Sequence, residues 1–323
     1  MKSKVKVLIP LVAALAMLTS CKGNDNPSGS VPSVTPAISI DPTAYNGYYA
    51  PYVDMLSVEG NELQFNIHKL CLLTHTNIVT YKQFYNYTSA SANPRSIDQS
   101  PTDSSKNVFF YTGAENSKST SYTREHVWPC ANSSGLWIHD KSSGASSNVY
   151  NVDGTGYWGG GSDLYHVRPS SSYVNTARGN SKFKEFAPND TVYEASDSNG
   201  KYTLLVDSDP KGGFATKSEP ADELKGDVVR ICMYVYIHYA KMGGQDWNWY
   251  YDDAKTKCVM GALGLSQVFA FPEDQLYEKL VEWNNLDPVD DLERLRNDTI
   301  QAIQGNRNPF VDYPDLVAKC FGL

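Results

Sequence analysis

The sequence predicts an α+β domain, rich in helix, that occupies most of the 323 residues. Two observations favour this fold class. Apolar residues recur at helical spacing over long stretches, most clearly in residues 226–242. Between these stretches stand short segments of β-branched and aromatic residues. Because no repeat and no linker-like break occurs after Tyr45, residues 44–323 are expected to form one domain.

The first elements of this domain are a helix and a strand. Residues 61–76 have the apolar spacing of a helix, and its buried face would carry Leu63, Ile67, Leu70 and Cys71. Residues 108–111, Val-Phe-Phe-Tyr, predict a strand that leads into a polar loop.

Two short strands and a helix are expected next. Residues 122–128 and 164–167 predict the strands. Residues 170–183 predict a helix near their middle, because a serine cluster suited to N-capping comes first. We interpret the glycine- and serine-rich residues 141–162 as a loop inserted between the two strands.

The C-terminal part predicts three helices. Residues 226–242 are expected to form a buried helix, capped by Asp227 and ended by two glycines. Residues 273–285 and 288–304 predict two more, the second with Pro288 in its first turn.

The N-terminus has the pattern of an export signal. Lys2, Lys4 and Lys6 precede an apolar run, residues 7–18, that is too short to span a bilayer. The run ends in Leu-Thr-Ser-Cys, which resembles a bacterial lipobox, so residues 1–21 predict a lipoprotein signal peptide with lipidation at Cys21. The alternative is an ordinary signal peptide with an incidental cysteine.

Residues 22–43 are rich in Pro, Ser, Gly and Asn and are interpreted as a flexible tether. The protein is therefore expected to be anchored by lipid to the outer membrane or the cell surface and to face the periplasm or the exterior. It is also expected to be a monomer.

The charge of the chain limits its partners. A net charge of −8 argues against broad adsorption onto nucleic acid, although it permits a local basic cleft. Of the six cysteines, five remain if Cys21 is lipidated, and at least one of these must stay unpaired within the chain. Cys71 and Cys232 are expected in the core, and the lack of a C-x-x-C motif argues against a structural zinc site.

Residues from the two predicted strands and the helix that follows them form a set able to cut a phosphodiester. His126 is the candidate general base, because a neutral imidazole accepts a proton near neutral pH. Glu125 and Asn175 offer oxygen ligands that suit Mg²⁺, which keeps several waters. Arg178, three residues after Asn175, and the weaker candidate Arg168 are expected to bind phosphate.

One geometric condition applies to this site. Adjacent residues of a regular strand point to opposite faces, so Glu125 and His126 can share a site only where the strand is bulged or ends, or if one of them acts from the edge. Asp163 and His166 are candidates for orienting their neighbours.

Three motifs carry a resemblance to a known family. They are T-R-E-H-V-W-P (residues 123–129), D-L-Y-H-V-R-P (163–169) and V-N-T-A-R-G-N (174–180). They resemble the motifs of the bacterial endonuclease I family, and family-like segments also occur at residues 225–234, 283–289 and 304–314. The resemblance covers most of the chain after about Tyr45.

The resemblance implies a ββα-metal (His-Me finger) core, with His126 as the general base and with Glu125 and Asn175 as the metal ligands. It implies an exported endonuclease that depends on Mg²⁺, with Mn²⁺ or Ca²⁺ able to substitute in binding. The implied substrates are DNA and RNA, cut with little regard to sequence to leave 5′-phosphates.

This chain departs from the family pattern in three places. Gly161 stands where an acidic residue is frequent, and Tyr165 where a histidine is common. No arginine occurs between Cys130 and Asp163, so an auxiliary phosphate contact is expected to be absent or supplied by Lys141.

Two other functions fit some of these residues. One is a surface lipoprotein that binds nucleic acid or glycan without cutting it, and the other is a zinc hydrolase that uses His126 and His166. The aromatic residues 247–251 are candidates for base stacking. Residues 306–308 fit either a phosphate contact or a turn.

Overall fold

A computed structural model of the chain describes residues 38–129, 160–239 and 264–323. All of these residues belong to one compact unit, residues 37–323, and the predicted α+β class is confirmed. The predictions for Cys21, Cys130, Lys141, Cys258 and residues 247–251 lie outside the described residues.

The described helices, numbered in chain order, are α1 Ala44–Gly47, α2 Val53–Leu56, α3 Gly60–Thr74, α4 Ser172–Arg178, α5 Lys225–Tyr239, α6 Leu276–Leu286, α7 Asp291–Gln304, α8 Pro309–Asp312 and α9 Leu316–Lys319. The described strands are β1 Lys106–Phe109, β2 Ala114–Ser117, β3 Thr123–His126, β4 Val167–Ser170, β5 Lys182–Phe183, β6 Tyr193–Ala195, β7 Leu204–Val206 and β8 Lys217–Glu219.

These strands form small sheets that are mostly antiparallel. β1 pairs with β2, and β3 pairs with β4. The remaining strands form a four-stranded sheet in the order β5-β8-β7-β6, in which β5 and β8 are parallel. The sequence does not predict this sheet, because strands of two or three residues are too short to show an alternating pattern.

The long helices lie where the apolar spacing predicts them, but two of their starts differ from prediction. At the N-terminus of α5, the Asp287 carboxylate accepts the N–H groups of Gly226 (2.9 Å) and Asp227 (3.2 Å). Asp227 lies inside the helix and pairs with Arg230, so the predicted cap is wrong. Helix α7 begins after Pro288, and its cap is Asp290, which accepts the Glu293 N–H at 2.8 Å.

The strand predicted at residues 164–167 begins three residues later, at Val167. The cause is a tight turn, in which the Asp163 carbonyl accepts the N–H groups of His166 (3.1 Å) and Val167 (3.0 Å). Pro169 fits within β4, where its carbonyl accepts the N–H of Phe110 at 2.8 Å.

The core is built around α5, which is buried along almost its whole length and packs against α3 and α6. Cys71, Cys232 and Cys320 are buried free thiols, as expected for the first two. Ile40 is also buried, so the last residues of the predicted tether pack onto the compact unit. Across the described ranges, no helix has the length and apolar character needed to cross a bilayer.

Candidate functional site

The site is built on two antiparallel strands and the helix that follows them. Strand β3 pairs with β4 without a bulge, so that Glu125 lies opposite Arg168 and His126 opposite Val167. Helix α4 starts two residues after β4 ends, and the Ser171 hydroxyl caps it by accepting the Val174 N–H at 3.2 Å. This strand–strand–helix order is compatible with a ββα core.

The two faces of β3 carry different groups. Thr123 and Glu125 lie on one face and Arg124 and His126 on the other, as alternation in a regular strand requires. The strand ends at His126, and a bend follows at residues 127–128. The structure therefore meets one of the conditions for a site that uses both Glu125 and His126, because the strand ends there.

The hydrogen bonds of Thr123 fix the orientation of Asn175. The Thr123 hydroxyl donates to the Ser170 carbonyl at 3.0 Å, so it accepts when it meets the Asn175 side chain, also at 3.0 Å. The Asn175 atom in this bond must then be the amide nitrogen Nδ2. The carbonyl oxygen Oδ1 accepts no hydrogen bond from any residue that the structure describes, so it can serve as a ligand.

The Glu125 carboxylate is buried and is held by two partners. Its Oε1 atom accepts the Tyr111 hydroxyl at 2.8 Å and lies 3.6 Å from Nε of Arg178. Burial raises the pKa of Glu125 above its usual value, and the positive charge of Arg178 opposes that rise.

The donor set fits a hard divalent cation. A carboxylate from Glu125 and an amide oxygen from Asn175 are both hard oxygen ligands, which Mg²⁺ prefers. The two residues are connected through Thr123, which shares the face of Glu125 and bonds to Asn175. Glu125 and Asn175 are therefore the residues that would hold the ion, and it would neutralise the charge that builds up on a reacting phosphate.

The ring of His126 is held in one orientation. Its Nε2 atom lies 2.8 Å from the Gly161 carbonyl, and Tyr81 stacks on the ring with centroids 5.0 Å apart. A carbonyl only accepts, so Nε2 carries the proton and the lone pair of the neutral ring is on Nδ1. Burial, and next the neighbouring His166, lower the pKa of His126 to about 3, which keeps the ring neutral at pH 7.

His166 lies behind His126 and holds the chain after β3. Its Nδ1 atom contacts the Gly160 carbonyl at 2.7 Å, and its Nε2 atom accepts the Trp128 N–H at 3.0 Å. Both nitrogens are thus engaged with backbone groups. That arrangement is unfavourable for the alternative of a zinc hydrolase with His126 and His166 as ligands.

Arg178 is fully buried at the end of β3. It pairs with Glu125 and donates to the backbone carbonyls of His126 (3.4 Å), Val127 (2.5 Å) and Gly179 (3.1 Å). These contacts fix the strand end that carries His126. The direct phosphate contact of Arg178 stays a prediction.

Arg168 is also buried, on the β4 side of the site. Its Nε atom and that of Arg296 both lie 3.0 Å from the same oxygen of Asp98, which is itself fully buried. A phosphate contact of Arg168 likewise stays a prediction, and the contact that the structure gives it is this three-residue ion cluster.

Replacing Asp98 by alanine is expected to lower the free energy of unfolding by about 3–5 kcal/mol, because it leaves two buried arginines without their shared carboxylate. Urea denaturation followed by circular dichroism measures the change. The exposed carboxylate of Asp103, which pairs with Lys106, provides the control. Asp103→Ala should leave the midpoint unchanged, and an equal loss in both variants would contradict the role of the cluster.

The structure shows what Gly161 and Tyr165, two of the three departures from the family pattern, contact. Gly161 contacts His126 through its backbone carbonyl, so this contact needs no side chain at that position. The Tyr165 hydroxyl donates to the carbonyls of Asn306 (2.9 Å) and Asn297 (3.2 Å) and ties the turn before β4 to the C-terminal part of the chain.

Asn306, Arg307 and Asn308 are buried, and Arg307 pairs with Asp312 through two hydrogen bonds (2.6 and 2.8 Å). Of the two alternatives for this segment, these contacts favour the turn.

A second group of residues with metal-binding side chains does not include Glu125 or Asn175. His75, Asp163 and His238 are buried, with ligand atoms within 4.8 Å of one another. The Asp163 carboxylate, however, already accepts four donors, which are the Tyr234 and Tyr239 hydroxyls, the Tyr165 N–H and Nε2 of Gln304. A carboxylate has about four lone-pair positions. The group is therefore better described as a hydrogen-bonded network, in which Asp163 orients its neighbours.

Comparisons with known proteins relate most of the chain to nucleases. The family model described as Endonuclease I matches residues 61–315. An extracellular ribonuclease of Bacillus subtilis (strain 168) is 29% identical over 319 residues, which cover 95% of this chain and 91% of that protein. An extracellular ribonuclease of Bacillus amyloliquefaciens is 29% identical over 288 residues, which cover 87% of this chain and 80% of that protein.

Proposed function

Because the chain belongs to the endonuclease I family and is thus a hydrolase of phosphodiester bonds, we propose that it is an exported, Mg²⁺-dependent endonuclease. It cuts RNA and DNA with little regard to sequence and leaves 5′-phosphates. The names of the two Bacillus relatives support RNA as a substrate and an extracytoplasmic location. The observation that carries the proposal is the position of His126, which the Gly161 carbonyl fixes at the end of the strand that also carries Glu125.

The residues divide the work in the following way. Nδ1 of His126 accepts a proton from the attacking water, while the Gly161 carbonyl and the Tyr81 ring keep the imidazole in place. Glu125 and Asn175 would hold the cation, which when bound would supply positive charge to the reacting phosphate and to the leaving oxygen. Tyr111 and Arg178 hold Glu125.

Arg178 acts mainly as a positioning residue. It fixes both the carboxylate of Glu125 and the backbone at His126 and Val127, so one side chain sets the spacing of base and metal ligand. Contact of Arg178 or Arg168 with phosphate would require the guanidinium group to exchange a protein partner for the substrate.

Anchoring through Cys21 is a further part of the proposal. The basic start, the short apolar run and the lipobox-like end of residues 1–21 support it. Lipid attachment at the outer membrane or cell surface would hold a monomeric enzyme on a tether. Retention of the wild-type protein in membranes, and its release by Cys21→Ala, would test this.

The nuclease proposal is tested with purified protein on supercoiled DNA, linear DNA and single-stranded RNA. Nicking of supercoiled DNA and degradation of RNA are expected with Mg²⁺ and not with EDTA, and Ca²⁺ is expected to bind with lower turnover. Products that a polynucleotide kinase cannot label at the 5′ end would confirm that cleavage leaves 5′-phosphates. Equal cleavage in EDTA would reject metal dependence.

A further inference from the structure

A continuous row of stacked groups extends from His126 along one face of β3. Tyr81 stacks on His126 with an interplanar angle of 21°. The Arg124 guanidinium lies 3.5 Å from the centroid of the Tyr81 ring and 4.5 Å from that of Tyr85. Tyr85 in turn contacts Tyr122, with centroids 5.4 Å apart and an angle of 45°. The row ends at Tyr122, roughly 13 Å from His126 at the usual rise of a strand.

A cavity of about 340 Å³ opens at the far end of this row. Tyr85 and Tyr122 provide its aromatic walls, and Thr88, Ser89, Lys118 and Thr120 add hydroxyl and amino groups. The Tyr122 hydroxyl is hydrogen-bonded to Thr88, which holds the ring in place, whereas 42% of Tyr85 is exposed. A rigid ring, an exposed ring and several hydrogen-bonding groups are features that suit a flat, polar-edged ligand.

The charges around the cavity favour an anionic ligand. Lys118 donates to the Gln99 side chain (2.7 Å), Arg95 to the Ser96 and Gln99 carbonyls, and Arg124 to the Tyr81 carbonyl. Within the described part of the chain, none of these three cations forms an ion pair with a carboxylate. Uncompensated positive charge is notable in a chain with a net charge of −8, and phosphate would neutralise it.

We propose that this cavity, bounded by Tyr85 and Tyr122, binds one nucleobase of the substrate a few nucleotides from the phosphate at His126, and so favours single strands over duplexes. Lys118 and Arg124 then contact the intervening backbone. A base in a duplex is paired and stacked and cannot enter, whereas a single strand can turn a base onto an aromatic side chain. The inference deepens the proposed nuclease function and rests on it.

Binding measured without cleavage tests the subsite separately from catalysis. Fluorescence anisotropy in EDTA gives the Kd of a labelled single-stranded RNA, a single-stranded DNA and a DNA duplex of the same sequence. Tyr85→Ala is expected to raise the Kd of both single strands at least about fivefold and to leave duplex binding unchanged. Tyr85→Trp should restore the affinity, because indole also stacks on a base.

Tyr193, which is 38% exposed on β6, provides the matched control, and Tyr193→Ala should change none of these values. Lys118→Gln is the second test and should weaken single-strand binding and reduce its dependence on salt. Unchanged single-strand binding in Tyr85→Ala, or equal loss for strands and duplex, would overturn the subsite. Such a result would leave nuclease activity standing, whereas absent cleavage with intact Tyr85-dependent binding would reject the catalytic proposal alone.

Discussion

Replacing His126 by alanine is expected to lower kcat for RNA and DNA by roughly 10²–10⁴-fold, the range typical of a general base. The expectation depends on how the ring is held. With Nε2 directed at the Gly161 carbonyl, the neutral imidazole has its lone pair on Nδ1, and Tyr81 prevents the ring from turning away. Initial rates at saturating Mg²⁺ on supercoiled DNA and on RNA measure the loss.

Two measurements separate a missing base from a damaged fold. The melting temperature of His126→Ala should stay close to wild type, because Arg178 still holds the end of β3 through Glu125 and the backbone carbonyl of residue 126. Added imidazole should restore part of the activity by entering the space left by the side chain. Tyr81→Phe keeps the stacked ring and should retain most of the activity. Near-wild-type turnover in His126→Ala would remove His126 from the proposed mechanism.

Local patterns predicted the framework of the site well. The β3 segment, the helix after β4 and the serine that caps it all follow from short-range signals, because strand alternation and N-capping depend on neighbouring residues. Strand β4 begins three residues later than predicted, since residues 163–166 form a turn that is held by the Asp163 carbonyl and by the Asp163 side chain, which accepts the Tyr165 N–H.

Contacts between distant segments account for what sequence reasoning missed. Tyr81 comes from a segment more than forty residues before His126, and the group on Nε2 is the backbone of Gly161. A backbone carbonyl leaves no side-chain signal. Tyr111 was assigned to a strand and not to the site, yet its hydroxyl bonds to Glu125. The cap of α5 by Asp287, sixty residues away, was missed for the same reason.

The role of a residue depends on its burial as well as on its type. Arginine next to a nuclease motif predicts phosphate binding, because the side chain carries a charged fork that matches phosphate. In this protein both Arg178 and Arg168 are buried and pair with carboxylates, and Arg178 also donates to backbone carbonyls. Among the described residues, two cations without a carboxylate partner, Lys118 and Arg124, lie instead beside the Tyr85–Tyr122 cavity.

Replacing Asn175 by alanine is expected to raise the half-saturating Mg²⁺ concentration by at least roughly 10–100-fold. Loss of a residue that only supports a metal ligand already weakens metal binding by that factor, and Asn175 is proposed to be a ligand itself. The variant removes one of the two protein oxygens proposed to hold the ion, whereas Glu125 keeps its bond to Tyr111. Initial rates across an Mg²⁺ titration measure the effect. The Mg²⁺-dependent rise in melting temperature provides a second measurement that does not depend on turnover.

The neighbouring Thr123 offers a control for the orientation of the amide. Thr123→Val removes the oxygen that accepts from Nδ2 of Asn175, so the amide can rotate but its carbonyl oxygen remains. We expect a shift of a few fold in the Mg²⁺ titration, smaller than that of Asn175→Ala. Thr123→Val and Asn175→Ala lose the same hydrogen bond. The difference between their half-saturating Mg²⁺ concentrations therefore measures the contribution of the Asn175 carbonyl oxygen. An unchanged Mg²⁺ titration in Asn175→Ala would show that Oδ1 of Asn175 does not bind the ion.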